Sequence, residues 1–327
     1  MIRFFRSGNP LTVLLLLIYT IFVKFYYFLH PVTYLKDGGE GLLYNLVVGW
    51  IDSFAYKNAL FYTFLTVVLL FLQALLFTKL INQHRLFSRS TYLPGMCYIL
   101  FSSMYQGWNQ FSPAILINLV MLWVFSNVPN LYNRSSARDV AFNLGFAVGV
   151  CSLIYFPSVI FVLLLFMGLV AMRSFRLAEW ILALLGLACP LYILGTYLFL
   201  TDQWALTGQL TRIGINIPMI HDYKVWGALI ANVLFFITGW IIIQRSFNKM
   251  LIQTRKIWNV WAFYAFIAML IPFFTATFSA NYWILAVLPI SMFAGNVFWS
   301  IQNNTFANAI HILLLLYVIV MQYFSQS

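Results

Sequence analysis

The sequence predicts an all-α, polytopic helical membrane protein, and three observations support this prediction. The chain has 327 residues, of which 63% are apolar and only 8% are charged. Soluble domains carry about 25% charged residues, so this chain has too few charges to cover a surface in water. Its apolar residues also occur in runs of about 20, the length that crosses a bilayer as a helix. We therefore expect a single integral membrane domain over residues 1–327, in contact with the lipid bilayer.

About eleven transmembrane helices follow from the positions of these runs. The runs lie at about 11–29, 58–80, 91–105, 113–128, 139–152, 154–172, 178–199, 225–244, 258–275, 281–299 and 305–324. The first run lacks a small-residue cleavage site, so it is interpreted as a retained helix and not as a cleaved signal. Because the third to fifth runs are short, broken or tilted helices are an alternative for this part of the chain.

The basic residues predict the orientation. With the N-terminus in the cytoplasm, 13 of the 18 Lys and Arg residues lie on the cytoplasmic side, as the positive-inside rule requires. The C-terminus is then periplasmic, and Lys24 is expected to extend from the outer end of the first helix toward the headgroups. The basic residues occur in ones to fours between apolar runs, which argues against nucleic-acid binding despite the net charge of +11.

Two loops longer than most connections lie on the predicted outer side, at about 30–57 and 200–224. The first contains the turn Lys36-Asp37-Gly38-Gly39-Glu40-Gly41. It then continues with one predicted apolar face of an interfacial amphipathic helix, formed by Leu42, Leu43, Leu46, Val47, Trp50 and Ile51. Long loops in a compact protein are where function tends to lie, so both are candidate sites.

Five of the seven acidic residues lie on this outer side: Asp37, Glu40, Asp52, Asp202 and Asp222. Asp37 and Glu40 are the candidate catalytic residues, because the glycines around them permit a ligand to approach the backbone. A partly desolvated carboxylate can act as a general base toward a hydroxyl or coordinate a divalent cation. The alternative is that these acids are solvated charges of a polar loop.

The second outer loop supplies candidate substrate-binding residues. Arg212, His221 and Lys224 can bind a phosphate, Arg through a bidentate fork and Lys as a point charge. Trp50 and Trp108 lie near the same side and can stack on a sugar ring. The alternative is that the cations anchor loop ends at the headgroups and that the aromatic side chains form a membrane belt.

The remaining ionisable groups have structural interpretations. Asp139 and Glu179 fall at predicted helix starts beside Arg138 and Arg176, where capping and the helix dipole account for them. His311 is interpreted as a neutral hydrogen-bonding residue in the last helix. No nucleotide-binding, zinc-protease or paired haem-ligand pattern occurs, so no cofactor is expected beyond the divalent cation considered above.

The acidic loop, the run of short crossings and the segment from Asn143-Leu144-Gly145 to Phe156-Pro157 resemble the GT-C class of glycosyltransferases that use polyprenyl-phosphate sugars. The resemblance covers about the first 200 residues. In that class the segment after the first helix carries a catalytic aspartate on the outer face, which matches Asp37, with Glu40 as the next candidate. The usual adjacent acidic pair and the large C-terminal outer domain of the class are absent here.

The resemblance implies an inverting enzyme that transfers a sugar from a polyprenyl-phosphate donor to an acceptor hydroxyl on the periplasmic face. The whole chain also resembles a family of integral membrane proteins of this length from Gram-negative bacteria, which implies the inner membrane. Two other functions are considered. A non-catalytic subunit would scaffold envelope protein partners, whereas a transporter or channel would need polar residues along a path through the bilayer, and the sequence has few of them.

Overall fold

The computed structural model describes residues 1–132, 134, 136–206, 208, 214, 222–274 and 278–323. Over these residues the protein consists of α-helices joined by loops and short 3-10 turns, and none of them lies in a β-strand. The predicted all-α fold class is therefore confirmed.

The helices alternate with mostly short connections. In chain order they are α1 (Ile2–Arg6), α2 (Thr12–Leu29), α3 (Leu42–Ala55), α4 (Ala59–Gln83), α5 (Leu93–Ser102), α6 (Pro113–Asn127), α7 (Arg138–Ile154), α8 (Val162–Met172), α9 (Leu177–Leu200), α10 (Tyr223–Ser246), α11 (Ile252–Leu270), α12 (Ile284–Ser300) and α13 (Asn304–Tyr323). Within the described residues, eight helical stretches are long and apolar enough to cross a membrane. The protein is thus a multi-pass membrane protein.

Each of the eleven predicted segments contains a helix, but not every helix has full spanning length. The eight long stretches are Thr12–Leu29, Ala59–Gln83, Pro113–Leu131, Leu177–Leu200, Tyr223–Lys249, Ile252–Phe274, Ala280–Ser300 and Asn304–Tyr323. The helix α5 has only 10 residues and is followed by an irregular segment, 103–112. It begins beside α1, where the Tyr92 N–H donates to the Phe5 carbonyl at 2.8 Å. The sequence allowed broken or tilted helices in this region, and α5 is such a broken helix.

The bundle has two ends, and each is identified by hydrogen bonds between segments that are far apart in the sequence. At the end that we call the basic end, Arg6 donates to the carbonyls of Phe298 and Ile301. At the opposite end, called the acidic end, the Gly41 N–H donates to the Ile154 carbonyl at 2.9 Å. The helix ends and connections at the basic end carry the cations predicted to be cytoplasmic: Arg3, Arg6, Lys79, Arg85, Arg89, Arg134, Arg138, Arg173, Arg176, Arg245, Lys249, Arg255 and Lys256. Those at the acidic end carry Asp37, Glu40, Asp52, Asp202 and Asp222.

Glycines let α7 and α9 pack closely. A Cβ atom on Gly149 would lie 2.7 Å from the Leu187 carbonyl oxygen, and one on Gly145 would collide with the Ala183 carbonyl. Gly186 of α9 in turn faces the Phe142 carbonyl. Because lipid tails supply no hydrophobic force between helices, such close backbone contact is a main source of helix association.

Glu179 lies in the first turn of α9, as the sequence predicted, and the structure adds an ion pair with Arg173. The Arg173 Nε lies 3.1 Å from Glu179 Oε2, and both side chains are less than 10% exposed. Glu179 Oε1 also accepts from the Ala137 N–H at 3.3 Å. The carboxylate therefore joins the start of α7 to the α8–α9 connection.

We expect Glu179→Ala to lower the free energy of unfolding by about 3 kcal/mol, because it leaves the Arg173 guanidinium buried without its counter-charge. Asp139→Ala is the matched control, since Asp139 forms a 3.5 Å pair with Arg134 in which both side chains are exposed. Exposed pairs contribute about 0–1 kcal/mol. Thermal unfolding of the purified variants in detergent measures both effects, and equal losses would contradict the structural role of the buried pair.

Candidate functional site

The acidic turn of residues 37–40 is held in one conformation by its own glutamate. Glu40 is only 7% exposed, and its Oε1 accepts from the backbone N–H groups of Asp37 and Gly38. Its Oε2 accepts from the Gly38 N–H at 3.1 Å. Gly38 has φ +79°, a conformation that favours glycine. Glu40 therefore fixes the backbone on which the Asp37 carboxylate is carried.

Backbone contacts from two other parts of the chain hold this turn in place. The Leu35 N–H donates to the Phe111 carbonyl at 2.8 Å, and the Tyr44 hydroxyl contacts both the Leu35 and the Phe111 carbonyls at 3.1 Å. Gly41 lies so close to the backbone of Leu153 and Ile154 that a side chain would collide with their carbonyl groups. Burial raises the pKa of Tyr44, and the nearby Glu40 charge raises that pKa further. Tyr44 thus stays protonated as a hydrogen-bond donor.

Carboxylates from both predicted outer loops lie near enough to Tyr105 to influence its pKa. Burial raises the pKa of Tyr105, and the negative charges of Asp222 and Asp37 raise that pKa further. Asp222 also caps α10, because its Oδ1 accepts from the Lys224 N–H at 2.9 Å. The structure therefore places the start of α10, with Lys224, at the same end of the bundle as Asp37. The predicted substrate-binding residues Arg212 and His221 lie outside the described residues.

An open cleft of about 490 Å³ adjoins the acidic turn. It is lined by Tyr34, Lys36, Gly38, Glu40, Asn45, Val48, Gly49 and Asp52. Lys36, which follows Leu35 and precedes Asp37 in the chain, is a cleft residue that is not among the candidate residues from the sequence. It places an exposed cation in the same cleft as the Glu40 and Asp52 carboxylates.

The helix α3 has three faces, which corrects the single apolar face predicted from the sequence. Its buried face is formed by Tyr44, Val48, Ile51 and Ala55. A second apolar face, with Leu46 and Trp50, is exposed, and Trp50 is 71% exposed. The third face contributes Asn45, Gly49 and Asp52 to the cleft. An interfacial helix that contacts both the bundle and lipid is apolar on two sides. The spacing of apolar residues in the sequence does not separate these two sides, so it predicts a single apolar face.

The two candidate stacking residues have different environments. Trp50 projects from α3 and contacts Phe54 edge-to-face, with ring centroids 5.2 Å apart. Trp108 is 1% exposed, packs against Tyr105, and its Nε1 donates to the Ala280 carbonyl at 3.0 Å. Trp50 therefore presents its ring at the surface, whereas Trp108 supports the segment that carries Tyr105.

Lys24 is fully buried and does not extend to the headgroups as the sequence predicted. Its ammonium donates to Ser102 Oγ at 3.1 Å, to Ser103 Oγ at 3.0 Å and to Asn109 Oδ1. Each of the three N–H groups of the ammonium thus has one neutral oxygen as its acceptor. Asn109 in turn donates to the Tyr27 hydroxyl at 3.0 Å. These contacts tie α2 to the segment that follows α5.

His311 is also buried in the bundle, and its Nε2 lies 3.1 Å from the Tyr19 hydroxyl. This contact confirms its interpretation as a hydrogen-bonding residue. In the parts of the chain that the structure describes, no three His, Cys, Asp or Glu side chains are grouped as a metal ion would require.

We expect Asn109→Ala to lower the free energy of unfolding by about 2 kcal/mol, because one N–H of the buried Lys24 ammonium then has no acceptor. Asn130→Ala is the matched control, since Asn130 is exposed at the basic end. Thermal unfolding in the same detergent compares the two variants. A loss for Asn109→Ala no larger than that of the control would contradict the importance of the Lys24 contacts.

Comparison with protein-family models, curated proteins and solved structures finds no match to this chain. Function is therefore inferred from the chain's own side chains, namely the acidic turn, the cleft beside it and the carboxylates near Tyr105.

Proposed function

We propose that the protein is a membrane glycosyltransferase that acts at the acidic end. It would transfer a sugar from a polyprenyl-phosphate donor to an acceptor hydroxyl. The observation that carries this proposal is the turn in which Glu40 fixes the backbone of Asp37 beside an open cleft of about 490 Å³. A carboxylate on a rigid support is what general-base catalysis requires, because the base must be within hydrogen-bonding distance of the proton that it removes.

In the proposed reaction Asp37 accepts the proton of the acceptor hydroxyl. The acceptor oxygen forms a bond to the anomeric carbon of the sugar, on the face opposite the phosphate. The bond between this carbon and the phosphate oxygen breaks, and polyprenyl phosphate leaves with the bonding electron pair. The configuration at the anomeric carbon is inverted. Glu40 has both carboxylate oxygens bonded to backbone N–H groups, so its proposed role changes from catalysis to positioning.

Cations at the acidic end would hold the donor phosphate. Lys36 lines the cleft, and Lys224 begins α10 beside Asp222. Arg212 and His221 keep their proposed phosphate-binding role on the basis of the sequence. Trp50 keeps its proposed sugar-stacking role because it is exposed, and from its face of α3 it would contact a sugar bound at the rim of the cleft. The apolar polyprenyl chain would stay in the bilayer beside the exposed face of α3.

The proposed orientation has the basic end in the cytoplasm and the acidic end in the periplasm of a bacterial inner membrane. This orientation is supported by the 13 cations that the chain gathers at one end, since short cytoplasmic loops carry an excess of Lys and Arg.

Labelling of introduced cysteines tests the orientation. Ser53 and Ser88 are both exposed, Ser53 at the acidic end and Ser88 at the basic end. We expect a membrane-impermeant maleimide to modify Ser53→Cys but not Ser88→Cys in spheroplasts, and to modify both after detergent lysis. The wild-type chain is the background control, because Cys97 and Cys151 are buried and the half-buried Cys189 lies in the middle of the apolar helix α9. The reverse pattern of labelling would place the acidic end in the cytoplasm.

Substitution of the base tests the activity. We expect Asp37→Asn to lower the rate of sugar transfer by about 10²–10⁴-fold, the contribution of a general base. The measurement is transfer from a radiolabelled polyprenyl-phosphate sugar to periplasmic acceptors by the protein in proteoliposomes. Asp202→Asn is the matched control, because Asp202 is an exposed acid at the same end with φ +53°, which asparagine tolerates.

An unchanged melting temperature must accompany the loss of activity in Asp37→Asn, so that misfolding does not explain it. Transfer at the wild-type rate by folded Asp37→Asn would exclude Asp37 as the base. Absence of transfer by the wild-type protein across a panel of donor sugars would instead favour the non-catalytic scaffold considered above.

A further inference from the structure

The last turns of α4, at the basic end, lie between two surface grooves. The first, called the α4–α6 groove, has a volume of about 400 Å³ and includes Leu76, Leu119, Leu122 and Trp123. The second, called the α2–α4 groove, has a volume of about 740 Å³ and includes Val13, Leu75, Thr78, Asn82 and Tyr92. Lys79 and Gln83 line both grooves. A single exposed cation therefore stands where two grooves meet.

The chemistry of the grooves changes along their length. The α4–α6 groove is lined by leucine side chains where it runs toward the middle of α4. Its other end, at the basic end of the bundle, is lined by Ser126 and Gln83. Trp123 is 47% exposed, as is common for tryptophan at the boundary between hydrocarbon and headgroups. In the α2–α4 groove, Val13 and Leu75 are apolar, whereas Asn82 and Gln83 are polar. Both grooves thus combine apolar walls with hydrogen-bonding groups near Lys79.

We propose that this surface binds an anionic diacyl phospholipid of the surrounding leaflet. Its phosphate would contact the Lys79 ammonium, and one acyl chain would lie in each groove. A diacyl lipid has one charged headgroup from which two apolar chains diverge, which matches one lysine shared by two grooves. The occupant is a lipid and not a protein segment because the grooves lie on membrane-spanning helices that the bilayer surrounds.

The charge of the basic end favours an anionic headgroup over a neutral one. The helix ends and connections at this end carry 13 cations but only the acids Asp139 and Glu179, and Glu179 is already paired with Arg173. A lysine near the membrane surface increases binding of an anionic lipid by about fivefold. This inference is independent of the proposed glycosyltransferase activity, because it concerns the opposite end of the bundle.

Native mass spectrometry of the full chain in detergent tests the proposal, with dioleoylphosphatidylglycerol and dioleoylphosphatidylcholine as probes. We expect tighter binding of the phosphatidylglycerol, and we expect Lys79→Gln to weaken this binding by about fivefold and to remove the preference. Lys249→Gln is the matched control, because Lys249 is exposed at the same end but lines neither groove. Leu119→Trp, which fills the α4–α6 groove, is expected to weaken binding of both diacyl lipids.

Three results would overturn the proposal. Equal affinity of the wild-type protein for the two lipids would exclude charge recognition. An equal effect of Lys249→Gln and Lys79→Gln would indicate diffuse attraction to the whole basic end. Binding of a single-chain lysophosphatidylglycerol as tight as that of the diacyl lipid would show that the two grooves do not act together. Because Lys79 is exposed, its substitution leaves the packed interior unchanged, and Leu119→Trp tests the groove separately.

Discussion

A polar group in the bilayer core has no water to bond, and this constraint determines how the interior of the protein is assembled. Gln73 shows the consequence: its amide donates to the Ile115 carbonyl at 2.7 Å, and its Oε1 accepts from the Tyr98 hydroxyl at 2.6 Å. Asn118 likewise donates to the Ile284 carbonyl at 3.1 Å. Each of these contacts joins segments that are distant along the chain. Polar side chains used in this way hold helices together, which argues against a transport path that would run along them.

The same constraint explains how a ten-residue helix can lie within the bundle. Where α5 ends, its last carbonyl groups lack helical partners, and lipid cannot supply them. The Asn109 amide donates to the carbonyls of Ser102 at 2.9 Å and Tyr105 at 3.1 Å. Gln322 of α13 donates to the Ser103 carbonyl at 3.4 Å. The irregular segment is therefore stabilised by one amide side chain from within the segment, Asn109, and by one from the last helix, Gln322. It carries Tyr105 to the acidic end, so the constraint also shapes the candidate site.

The sequence predicted those features that depend on local composition. A run of apolar residues is a property of one segment, so the positions of the helical segments were predicted correctly. The environment of Lys24 could not be predicted, because its acceptors lie near residues 102–109 and nothing local to α2 indicates them. The Arg173 partner of Glu179 was missed for a related reason. Several arginines lie within a few residues, and only the fold determines which one is buried with the carboxylate.

At the acidic end the sequence predicted a pair of catalytic acids, and the geometry divides their roles. Two carboxylates three residues apart look equivalent in a sequence. Glu40, however, turns back toward the N–H groups of the residues that precede it, which its longer side chain and the flexibility of Gly38 allow. Both oxygens of the Glu40 carboxylate therefore already accept backbone N–H groups of the turn. Asp37 is therefore the general base in the proposed reaction, and the observed contacts of Glu40 keep the Asp37 backbone in place.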